Sequence, residues 1–71
     1  MIINSMNIIV NGKQYEHQGA ATLDALLLAL GVNPAAVALM LNEQVIPRVE
    51  RTGVTLKAGD RVEILTFMGG G

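Results

Sequence analysis

The stretch Leu23 to Leu30 constrains this chain more than any other, because Leu23, Leu26, Leu27 and Leu30 fall at i, i+3, i+4 and i+7 and make one continuous apolar stripe. Every residue of the stretch is a good helix former except Asp24. Asp24 suits a first turn, where the helix dipole favours negative charge. Thr22 is the expected N-cap, Gly31 the expected left-handed residue after the last turn, and Pro34 prevents continuation. A lone helix with one apolar stripe has nothing to bury it against, so the rest of the chain must supply a sheet. Leu28 lies off the stripe and is expected to be partly exposed.

Strand patterns flank the helix. Met6, Ile8 and Val10 alternate with Asn7 and Ile9, and Asn11-Gly12 follows at once, the strongest short hairpin signal because both central residues of a type I′ turn need positive φ. The returning strand, Gln14 to Gln18, puts Tyr15 and His17 on one face. Val37 to Leu41 is an unbroken apolar run suited to a buried strand, with Val37, Leu39 and Leu41 inward and Ala38 and Met40 outward. Asn42-Glu43-Gln44 reads as a turn, Val45-Ile46 as a short strand ended by Pro47, Arg48 to Leu56 as a mixed connection, and Lys57 to Asp60 as a turn. Arg61 to Phe67 is the last strand, with Val62 and Ile64 inward and Glu63, Leu65 and Phe67 outward. The order ββαβ(β)β predicts an α+β fold in which one mixed sheet wraps over one helix, with the first and last strands parallel in its centre. This is the β-grasp arrangement.

Length and composition narrow the function. With 71 residues the chain is one domain, 1–71, near the lower limit for an adequate core. About half of it is apolar (51%), with one Phe, one Tyr and no Trp, so the core should be aliphatic, and disorder is excluded. The absence of cysteine removes disulfides and thiol chemistry and fits a reducing, cytoplasmic location. A formal charge of −1, with the five Lys and Arg scattered, argues against a nucleic-acid partner. Met1 to Met6 has no secretory-signal pattern, and no apolar run approaches the roughly 20 residues of a membrane helix. Residues 1–5 read as a leader, with Met6 an alternative start.

Few residues offer chemistry. His17 is the only histidine and Ser5 the only serine, too little for a catalytic triad, so His17 is expected to be a strand residue near a sheet edge. The six acidic residues are dispersed and predict no metal site. Arg48 and Arg51 could receive an anion or a partner's acid, but solvated loop charges are the expectation. Met40, Leu65 and Phe67, with Met68 beside them, form an outward apolar patch suited to partner binding, unless the strand phase is shifted and they belong to the core. Phe67 and Met68 then run into Gly69, Gly70 and Gly71. These glycines are not a phosphate-cradling loop, which would precede a helix. They are either an incidental end or a flexible tail whose terminal carboxylate is the functional group.

Taken together, Asn11-Gly12, the leucine-rich helix ending at Gly31, Leu41-Asn42-Glu43-Gln44-Val45-Ile46-Pro47-Arg48, Leu56-Lys57-Ala58-Gly59-Asp60-Arg61-Val62-Glu63-Ile64 and the terminal Gly70-Gly71 resemble the bacterial sulfur carrier of thiamine biosynthesis, a ubiquitin-like protein of the ThiS family. The resemblance covers Met6 to Gly71. Residues 1–5 and the third glycine, Gly69, depart from the pattern without disturbing it. The resemblance implies a protein substrate and not a catalyst. An E1-like adenylyltransferase of ThiF type, using ATP and magnesium, would adenylate Gly71. Sulfur from a donor such as a cysteine desulfurase would then give a thiocarboxylate, and thiazole synthase of ThiG type would use it. Gly69 and Gly70, lacking Cβ, would thread a narrow channel, and the five residues from Phe67 would reach roughly 17 Å when extended. A terminal diglycine also fits related carriers: the molybdopterin-synthase small subunit and those of cysteine synthesis or tRNA thiolation.

Overall fold

The computed structural model describes residues 5–66. The expected leader up to Asn4 and the terminal segment Phe67 to Gly71 lie outside the described residues. Strand β1, Ser5–Val10, turns at Asn11-Gly12 into β2, Lys13–Gln18; helix α1 spans Leu23–Leu30; then come β3, Val37–Leu41, β4, Gln44–Val45, and β5, Arg61–Thr66. Short 3-10 segments, Pro34–Ala36 and Arg48–Gly53, occupy the connections before β3 and after β4. The five strands form one mixed sheet in the order β2-β1-β5-β3-β4. As expected, β1 and β5 pair in parallel at its centre, while β5 pairs antiparallel with β3. β1 begins at Ser5, the last residue of the expected leader.

The helix is set by the residues the sequence singled out. Thr22 Oγ1 accepts the Ala25 N–H at 3.1 Å. Gly31 takes a left-handed conformation (φ 71°), and the Val32 N–H reaches back to the Leu27 carbonyl at 3.0 Å, closing the orphan carbonyls of the last turn. The stripe packs onto the inner sheet face: Leu23, Leu26 and Leu27 join Ile8, Val37, Leu39, Leu56 and Val62 in a core where no member is more than 2% exposed. Leu28 is exposed, as its position off the stripe requires. The chain entering the helix is tied to the long connection by Leu23 N–H to Val54 O at 3.1 Å and Leu56 N–H to Ala21 O at 2.9 Å.

The hairpin joining β3 and β4 is tighter than expected. Asn42 and Glu43, both with positive φ (50° and 72°), make a two-residue turn, and Gln44 is already in the strand opposite Leu41. Ile46 falls outside β4, although its N–H still bonds Leu39 O at 2.9 Å.

Arg51 corrects the expectation of a solvated loop charge. It is only 7% exposed, and its guanidinium donates to the carbonyls of Pro34 and Val37, the latter at 2.7 Å. β4 is only two residues long and stops short of Val37, so the arginine side chain supplies the donor that a longer strand would have supplied. A buried carbonyl left without a donor is costly, which is why the fold places a cation here.

Leu27→Ala should lower the unfolding free energy by roughly 2 to 5 kcal/mol in urea titration, a large fraction of a small domain's stability. Arg51→Ala should cost about 1 to 3 kcal/mol by orphaning buried carbonyls. An Arg51→Ala variant as stable as the parent would show those carbonyls to be hydrated instead.

Candidate functional site

The outer face of the sheet carries the described apolar residues that the strand phases place outward, Met40 and Leu65. In antiparallel pairing, residues directly opposite one another share a face. Ala38 lies opposite Leu65, and Met40 lies opposite Glu63 on one side and Val45 on the other. Leu39, Val37 and Val62, the intervening residues, are buried beneath them. Met40 and Ala38 are partly exposed, whereas Leu65 is 57% and Val45 68% exposed. The two strand phases agree, so Met40 and Leu65 belong to an outward apolar strip and not to the core. Phe67 and Met68, the other expected members, and Gly69, Gly70 and Gly71 lie outside the described residues.

Sequence reasoning missed Val45, the most exposed member of the strip. The signal was present in the hairpin: a two-residue turn at Asn42-Glu43 fixes the register that sets Val45 against Met40. Charge borders the strip along β5, where Glu63 and Arg61 alternate with Leu65 on the same face. Arg61 Nη2 contacts Glu43 Oε2 at 3.0 Å in an exposed pair, a contact of small energetic weight.

The residues weighed for other chemistry are structural. His17 lies in edge strand β2 as expected, but its side chain is buried, and Nε2–H donates to Ala20 O at 2.7 Å, fastening the loop that leads into the helix. Arg48 and Arg51 line a shallow cleft with Asp24 and Thr52, and both direct donors to carbonyls of their own chain, Arg48 Nη2 to Ala35 O at 3.0 Å. Among the described residues, no three His, Cys, Asp or Glu side chains converge. No helix among them is long and apolar enough to cross a membrane.

Comparison with known proteins gives this surface its context. The sequence model of the ThiS family matches residues 8–71. The chain belongs to the ThiS family, the ubiquitin-like sulfur carriers of thiamine biosynthesis. The crystal structure of a thiamine biosynthesis protein (ThiS) from Geobacter metallireducens superposes with a TM-score of 0.78 at 43% identity, over 93% of this chain and 100% of that one. Two curated relatives, from Paramagnetospirillum magneticum (35% identical) and Magnetococcus marinus (36%), are named thiazole synthase. Each match covers 93% of this chain but only 20% of the relative, so the chain spans about a fifth of their length. An uncharacterised protein, ycf40, of Pyropia yezoensis is 31% identical over the full length of both chains. Members of this family are small carriers and not catalysts.

Leu65→Asp and Val45→Asp should leave the unfolding free energy within about 0.5 kcal/mol of the parent, as for most surface changes. Leu39→Asp, on the buried face between Ala38 and Met40, should abolish folding by circular dichroism. A collapse caused by Leu65→Asp would move Leu65 from the strip to the core.

Proposed function

We propose that the chain is a protein substrate whose terminal carboxylate, on Gly71, is activated and loaded with sulfur, and that the strip of Ala38, Met40, Val45 and Leu65 is where partner enzymes dock. Family membership over residues 8–71 is the observation that carries this reading. The carboxylate attacks the α-phosphorus of ATP on the activating enzyme, pyrophosphate leaves, and an acyl adenylate forms. A sulfur nucleophile at the oxidation level of sulfide attacks the acyl carbon, AMP leaves, and a thiocarboxylate remains. ATP and magnesium belong to the E1-like enzyme of ThiF type, and the sulfur originates from a donor such as a cysteine desulfurase.

Thiazole synthase is the favoured acceptor. Longer chains named thiazole synthase contain a segment 35 to 36% identical to this one, which supports a shared place in thiazole formation over the molybdopterin, cysteine and tRNA alternatives. The glycines suit the task on steric grounds. Without Cβ atoms, Gly69, Gly70 and Gly71 let backbone approach a nucleotide closely, while the body binds at a distance.

The reading requires a chain that ends at Gly71. Adding a few residues after Gly71 should abolish adenylation, measured as ATP–pyrophosphate exchange, while leaving the affinity of the folded body for the activating enzyme within a few-fold. Leu65→Asp should do the reverse, weakening affinity by about tenfold or more, as loss of a central apolar contact does. Exchange that tolerates the extension would contradict the carboxylate's role.

A further inference from the structure

The ladder that holds β5 changes its nature halfway along the strand. On the β1 side, Ile9 N–H bonds Asp60 O and Asn11 N–H bonds Val62 O, both at 2.9 Å. β1 ends at Val10, so no strand remains to pair with Ile64, the next residue of β5 whose main-chain N–H and C=O point to the β1 side. The side chain of Asn11 takes that place: Oδ1 accepts the Ile64 N–H at 2.7 Å, and Nδ2 donates to Ile64 O at 3.3 Å. A carboxamide has one donor edge and one acceptor edge, as a peptide unit does, so it reproduces a rung of the sheet with no strand behind it. Ile64 is the last residue of β5 held from this side among the described residues. Beyond it come Leu65, in the docking strip, and Thr66, where the described strand stops.

We propose that Asn11 is a positioning residue for the C-terminal segment: its side-chain rung at Ile64 fixes the direction in which the chain leaves the sheet, and thereby the rate at which the terminal carboxylate is adenylated. The proposal rests on the carrier reading given above. The residue is separated from Ile64 by 53 positions and is exposed, so its contribution is local and separable from the core. It also sits at positive φ (50°) in the hairpin turn, a conformation that glycine and aspartate tolerate. Asn11→Gly therefore removes the rung and keeps the turn. Asn11→Asp keeps the acceptor for Ile64 N–H and loses the donor to Ile64 O.

The test compares the full-length parent with both variants in amide hydrogen exchange and in steady-state adenylation by the activating enzyme. In Asn11→Gly, exchange at the Ile64 amide should accelerate about tenfold, the effect of losing one or two hydrogen bonds, while the Leu27 and Leu39 amides stay protected. The kcat of adenylation should fall on the order of tenfold, because misplacing a reacting group slows the step it enters. KM should stay within about twofold, because the docking strip is intact. Asn11→Asp should fall between the two. A purely structural role would lower the folded fraction without changing kcat per folded molecule. An unchanged kcat, or an Ile64 amide as protected as in the parent, would overturn the proposal. A parent chain that is not adenylated at all would instead overturn the carrier reading.

Discussion

Everything in this small domain is arranged around β5 being held from both sides. It lies at the centre of the sheet between a parallel neighbour and an antiparallel one, and Val62 from its inner face completes the core under α1. A central strand cannot leave its main-chain groups unpaired without a cost comparable to a lost hydrogen bond. Its neighbours are short, and side chains complete what they leave open. Asn11 extends the β1 side at Ile64. Asn42 accepts the Arg61 N–H at 2.8 Å and donates to Asp60 Oδ1 at 3.0 Å, and Asp60 in turn accepts the Lys57 N–H at 2.8 Å, fixing where the strand begins. One strand away, Arg51 completes the edge of β3 in the same manner.

This arrangement divides labour between the two faces of the sheet. The inner face is packed by leucine, isoleucine and valine and provides stability, with the buried His17 at its edge bonded to Ala20 O. The outer face presents aliphatic side chains at the far end of β5 and along β3 and β4, close in sequence to where the chain continues toward its glycines. A protein substrate of the kind proposed needs a stable body and a surface by which it is recognised.

Much of this was legible in the residues. The helix followed from four leucines at one spacing with a threonine before and a glycine after, and its ends coincide with Leu23 and Leu30 because those local signals do not compete with anything. The bounds of β3 and the parallel contact of β1 with β5 followed from apolar patterning, since buried strands have to alternate or be apolar throughout. What escaped depends on partners distant in sequence. Nothing near Arg51 shows that β4 will stop early and leave Val37 O in want of a donor. Asn11 and Asn42 read as turn residues, which they are, but their second role depends on β5 arriving beside them some 50 and 20 residues later. Val45 looked like an ordinary strand residue until the two-residue turn set its register. The role of Gly69, Gly70 and Gly71 rests on sequence and family alone.

The proposed task of the body is to present a carboxylate for sulfur loading. Intact-mass spectrometry of the full chain, after incubation with its activating enzyme, magnesium–ATP and a sulfur donor, tests it most directly. The product should be heavier by the exchange of one oxygen for one sulfur, with the sulfur localised to the C-terminal peptide containing Gly71. An unchanged mass with an enzyme shown to be active on another carrier, or sulfur attached anywhere but Gly71, would contradict it.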